Sequence, residues 1–69
     1  MTHHEIKKAA TCRPFRPFAI RLSDGEVVIV QREQEIAINP HSKKTVIVFD
    51  PDGTVRLLNV AQVTELAMK

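Results

Sequence analysis

The chain has no tryptophan, no tyrosine and one cysteine, Cys12, in 69 residues. One cysteine excludes an intrachain disulfide, and no Cys-x-x-Cys pair starts a zinc site. A lone thiol fits a reducing compartment, so a cytoplasmic location is expected. The aromatic residues are three phenylalanines, Phe15, Phe18 and Phe49, which leaves little with which to stack nucleic-acid bases. The two glycines, Gly25 and Gly53, both stand in turn sequences, so no Gly-rich phosphate loop exists. The longest apolar runs, such as Val27–Val30, are four residues, against about 20 for a membrane helix. No membrane association is expected. Met1-Thr2-His3-His4-Glu5 lacks the apolar core of a secretion signal.

No constellation supports catalysis, and no enzyme activity is expected. There is no Ser/His/Asp constellation, and 69 residues leave no room for a large barrel or doubly wound sheet. Asp24, Asp50 and Asp52 read as turn formers, whose short side chains bond their own backbone. His3 and His4 read as helix-start side chains, and His41 stands alone in a polar loop. No catalytic residue, metal site or cofactor is expected.

Charge is what the chain distributes unevenly. Ten Lys and Arg against eight Asp and Glu give a net of +2. Residues 1–22 hold Lys7, Lys8, Arg13, Arg16 and Arg21 against Glu5 alone, a net of +4, and residues 23–69 carry the balance of −2. The basic third is read either as a solvated face or as a surface for phosphates or an acidic partner. Lys7, Lys8, Arg13, Arg16 and Arg21 are therefore the candidate anion or nucleic-acid contacts.

Local patterning predicts one helix followed by strands. Thr2-His3-His4-Glu5 has the form of a capping box, and Ile6, Ala9 and Ala10 then recur at helical spacing, giving a helix over 3–11. Pro14 ends it. Arg13-Pro14-Phe15-Arg16-Pro17-Phe18 doubles an Arg-Pro-Phe triplet and predicts an extended lead-in over 12–17 that presses Phe15 and Phe18 onto the core. Phe18, Ile20 and Leu22 then alternate with polar or small residues, the mark of a half-buried strand. Ser23-Asp24-Gly25-Glu26 and Asp50-Pro51-Asp52-Gly53 are hairpin turns. Val27–Val30 is apolar on both faces and predicts a central strand or a subunit interface, with Val27 and Ile29 as its candidate residues. Polar residues 31–35 interrupt the run before Ile36-Ala37-Ile38, as one bent strand or two short ones. Asn39-Pro40-His41-Ser42-Lys43 is a loop, and 45–49, 55–60 and 63–68 complete the strands, with a tight corner at Ala61-Gln62. The expected fold is a single domain over 1–69, mainly β with an N-terminal helix. Its strands, within 18–68, are expected in meander order as a small five-stranded antiparallel barrel or strongly bent sheet.

Phe15-Arg16-Pro17-Phe18-Ala19-Ile20-Arg21-Leu22-Ser23-Asp24-Gly25 resembles the opening of a family of short uncharacterised bacterial proteins. Val46-Ile47-Val48-Phe49-Asp50-Pro51-Asp52-Gly53 and Leu58-Asn59-Val60-Ala61-Gln62-Val63-Thr64 are similar to its later segments. The resemblance implies no activity. Gln31-Arg32-Glu33-Gln34 stands where members often carry a His-Pro pair. The layout of helix and five strands also resembles Sm-like and SH3-like small barrels, and Leu22-Ser23-Asp24-Gly25 is similar to the first Sm hairpin turn. The second strand lacks the Sm glycine, and no Arg-Gly or Lys-His pair precedes the last strand, so no Sm nucleotide pocket transfers to residues here.

A core this small rarely supplies more than about 3–5 kcal/mol, and neither disulfide nor metal is expected to add to it. Homo-oligomerisation is the expected support, through strand edges or through Val27 and Ile29. The function expected is a non-enzymatic binding or assembly module, acting as a homo-oligomer or with a protein partner. The alternative is an RNA- or DNA-binding protein that uses the basic N-terminal surface.

Overall fold

The computed structural model describes residues 2–39 and 41–68; Pro40, in the expected loop, lies outside them. Helix α1 runs His3–Ala10. The Thr2 hydroxyl accepts the Glu5 N–H at 3.4 Å, and the Glu5 carboxylate accepts the Thr2 N–H at 3.4 Å and its hydroxyl at 2.9 Å. At the other end the Thr11 N–H and hydroxyl both donate to Lys7 O, at 2.9 and 2.7 Å. Ile6 and Ala10 are buried in the core, which is the surface that so short a helix requires. Arg13-Pro14-Phe15-Arg16-Pro17 is not regular structure. It brings the Phe15 ring to 6.1 Å from Phe18, tilted by 58°. Phe18 is fully buried and Phe15 packs at the margin of the core.

Six strands follow: β1 Phe18–Leu22, β2 Val27–Val30, β3 Ile36–Ile38, β4 Thr45–Phe49, β5 Val55–Asn59 and β6 Val63–Met68. They form two three-stranded antiparallel sheets, ordered β2-β1-β6 and β3-β4-β5. The five-stranded barrel expected from the sequence is not what forms, and no closed barrel exists among the described residues. The reason lies at two 3₁₀ turns, Glu33–Glu35 and Val60–Gln62. Each falls where the chain leaves one sheet for the other, and no ladder joins the sheets across either break. Meander order fails as well, because β2 does not pair with β3 nor β5 with β6; β6 pairs with β1 instead. Val27–Val30, read as a possible central strand, is an edge strand; β1 and β4 are central.

The two hairpin turns share one design. Leu22 N–H donates to Glu26 O and Gly25 N–H to Leu22 O; Asp50 N–H donates to Thr54 O and Gly53 N–H to Asp50 O. Asp24 and Asp52 each accept a backbone N–H two residues on, both at 2.9 Å. Gly25 and Gly53 close the turns at φ +91° and +92°, the left-handed region that a Cβ disfavours.

Directly paired residues share a sheet face. In the first sheet the rows Val30–Phe18 and Val28–Ile20–Leu66 point inward, while Met68, paired with Phe18 at the end of β6, stays exposed. In the second, Ile38–Val46–Leu58 and Ile36–Val48–Arg56 do so. Phe18, Ile20, Val30, Val46 and Val48 are buried to within 1% exposure and meet Ile6 of α1 in one core.

Two consequences follow for stability. Ile6→Ala is expected to cost about 2–5 kcal/mol, read as a large fall in urea midpoint by circular dichroism, whereas Lys8→Ala leaves the midpoint nearly unchanged. Gly53→Ala is expected to cost about 1–2 kcal/mol through the backbone alone, because nothing lies within 4 Å of the added Cβ.

Candidate binding surfaces

The basic side chains of the N-terminal third go to different places. Arg13 hydrogen-bonds Glu33 in the first 3₁₀ turn. Arg21 lies on the outer face of β1 and pairs with Glu65 of β6 at 3.1 Å. Arg16 and Lys8 are exposed. Lys7 faces two clefts that flank α1. One, of about 250 Å³, lies against β3 and includes Glu33, Ile36 and Ile38. The other, of about 790 Å³, is lined by His3, His4 and Lys7 of α1 and by Lys43 and Lys44 before β4.

The remaining ion pairs are ties. Arg56 of β5 hydrogen-bonds Glu26 in the β1–β2 turn and reaches Asp50 at 2.9 Å, so one guanidinium links the two sheets. Arg56 and Glu26 are well exposed and Asp50 is partly buried; pairs this close to solvent stabilise little, and their effect is to fix geometry. The hydrogen bond from Arg13, aided by charge attraction, holds the Glu33 carboxyl below the usual range and raises the guanidinium. The Thr54 backbone N–H, then its hydroxyl, does the same for the Asp52 carboxyl. Hydrogen bonds to Glu26 and then Asp50 raise the Arg56 guanidinium. Among the described residues no three His, Cys, Asp or Glu side chains are placed to hold a metal. Cys12 is half-buried. No helix among the described residues is long and apolar enough to cross a membrane.

Two outward faces carry exposed apolar side chains. On the first sheet Val27 and Ile29 are 45% and 40% exposed. Ile29 lies in a row with Ala19 and Ala67, and Val27 lies in a row with the Arg21–Glu65 pair, so charge interrupts this face. The outward face of the second sheet is wider and carries no charge in its central rows, Ala37–Ile47–Leu57 and Phe49–Val55. Leu57 is 70% exposed, Val55 55% and Phe49 41%. The sequence reading missed this face, because which of Leu57 and Leu58 points outward depends on the register that the Asp50–Gly53 turn imposes. It also missed the meeting of Lys7 with Lys43 and Lys44, for which no local pattern exists.

The two depressed carboxyls make a pH prediction. Glu33 and Asp52 favour the folded state while ionised; that contribution is whole above the unfolded value near 4 and fades as pH falls through the lower folded values. Urea midpoints are expected to fall from about pH 5 toward about pH 2, less steeply in Glu33→Gln and Asp52→Asn, and equal slopes in wild type and variants would contradict the assignment. Compared with known proteins, the chain matches no protein-family model, no curated protein and no solved structure.

Proposed function

We propose that the protein is a non-enzymatic assembly module of the cytosol that acts as a homo-oligomer, and that copies join through the open edge and outward face of β5. The observation that carries this reading is the unprotected β5 edge. Pairing with β4 ends in hydrogen bonds from Asp50 N–H to Thr54 O and from Val60 N–H to Lys44 O, each 2.8 Å. Backbone groups alternate along an antiparallel pair. Residues 54, 56, 58 and 60 therefore turn their N–H and C=O groups toward β4, and Val55, Leu57 and Asn59 turn theirs outward. Edge strands are normally blunted by outward charge, proline or a bulge. β5 has none of these: its single charge, Arg56, points to the inner side and is held by Glu26 and Asp50.

The edge is complementary to a second copy of itself. Two β5 strands related by a two-fold axis at Leu57 place Leu57 against Leu57 and Val55 against Asn59. All the outward groups pair, through about six hydrogen bonds. The apolar row Ala37–Ile47–Leu57 then continues across the axis into its symmetry mate. A standard interface takes about 800 Å² from each partner, roughly one-sixth of the 4664 Å² surface of this chain. The β2 edge competes less well, because Arg21 and Glu65 share the outward face with Val27.

Light scattering on a sizing column reads the outcome. Wild type is expected at a multiple of 7.8 kDa at high concentration, with Leu57→Lys shifting the equilibrium toward monomer by about tenfold or more, the scale of losing one buried leucine contact. Val27→Lys is expected to leave it unchanged. A monomer at every concentration overturns self-association, and loss with Val27→Lys alone moves the interface to β2.

A further inference from the structure

Lysines from two distant stretches of chain stand around one cleft. It lies between the first turn of α1 and the segment entering β4, with the second 3₁₀ turn as its floor. His3, His4, Lys7, Lys43 and Lys44 line it, and no carboxylate does among the described residues. Glu5, the acid nearest in sequence, hydrogen-bonds Thr2 at one end of the cleft and makes no ion pair with its lysines. Elsewhere Arg13, Arg21 and Arg56 are each joined to carboxylates, but no ion pair among the described residues involves Lys7, Lys43 or Lys44. The cleft thus gathers three lysines that no ion pair engages. Like charges that share a low-dielectric wall repel one another and focus a positive potential, which an anion relieves. The site also has fixed parts. Lys44 is anchored through its carbonyl to the Val60 N–H at 2.8 Å. Lys7 projects from a helix docked by Ile6. His3, which borders the smaller cleft as well, has an Nε2 that is shielded from solvent and has no hydrogen-bond partner, a condition that buried polar atoms rarely keep.

We propose that this cleft binds a small ligand carrying two or more phosphate groups. Lysine ammonium groups suit phosphate as mobile point charges. A cleft of about 790 Å³ lies within the range of small-molecule sites, roughly 300–1,000 Å³. A nucleic-acid strand fits less well: Arg13 and Arg21, which would extend a basic track, are tied to Glu33 and Glu65, and none of the three phenylalanines lines the cleft to stack a base. The site does not depend on self-association through β5.

Titration of the full chain with tripolyphosphate, followed by calorimetry and amide NMR, tests the proposal. Saturable binding of one tripolyphosphate per chain is expected, weakening with added salt. Lys43→Ala/Lys44→Ala and, separately, Lys7→Ala are each expected to weaken it by about tenfold or more, as loss of charge-assisted hydrogen bonds does. Arg21→Ala is expected to leave it unchanged, and circular dichroism of each variant keeps loss of fold apart from loss of binding. Absence of saturable binding overturns the proposal, as does equal weakening by Arg21→Ala. Tighter binding of a single-stranded RNA of equal charge, lost on Arg16→Ala, overturns it in favour of a nucleic-acid surface.

Discussion

Every β-sheet has two faces, and 69 residues supply one core with which to cover them. The inward rows of both sheets and one face of α1 meet around Phe18, Ile20, Val30, Val46 and Val48. Among the described residues the outward rows keep Val27, Ile29, Phe49, Val55 and Leu57 exposed. On the first sheet the outward face is broken by the Arg21–Glu65 pair and small alanines. On the second it stays apolar across all three strands, from Ala37 through Ile47 to Leu57. An apolar face beside an unpaired strand edge is costly for a solitary chain, and this joins the smallness of the protein to the proposal of assembly.

The loops and charges arrange what the core leaves free. The two matched hairpin turns set register, and a one-residue slip at Asp50–Gly53 would exchange Leu57 with Leu58 and turn the patch inward. The two 3₁₀ turns carry the chain from sheet to sheet, and the second also brings Val60 beneath Lys44. Arginine and lysine then divide the work. Arg13, Arg21 and Arg56 act as ties between elements, with Arg56 joining the sheets. Lys7, Lys43 and Lys44 are left to present charge around one cleft.

Local signals in the sequence carried most of the elements. The capping box at Thr2 and Glu5, the Asp-Gly turns, and the alternation of Phe18, Ile20 and Leu22 each report short-range chemistry, and each element stands where that chemistry places it. What local signals do not encode is pairing between distant strands. Residues 31–35 and 60–62 read as a polar interruption and a corner, yet whether such breaks bend a barrel or divide two sheets depends on partners far along the chain. The same limit hid both surfaces. The N-terminal cluster of charge suggested one basic face, but Glu33 and Glu65, distant in sequence, claim Arg13 and Arg21. Val27 and Ile29 are exposed, while the wider apolar face formed on β3, β4 and β5.

The central claim is that the outward backbone groups of β5 are satisfied by a second copy. Amide hydrogen exchange, followed residue by residue at low and high protein concentration, reads those groups directly. The account predicts that protection of the Val55, Leu57 and Asn59 amides rises with concentration, while Arg56 and Leu58, already bonded to β4, stay unchanged. Rapid exchange at Val55, Leu57 and Asn59 at every concentration would contradict it.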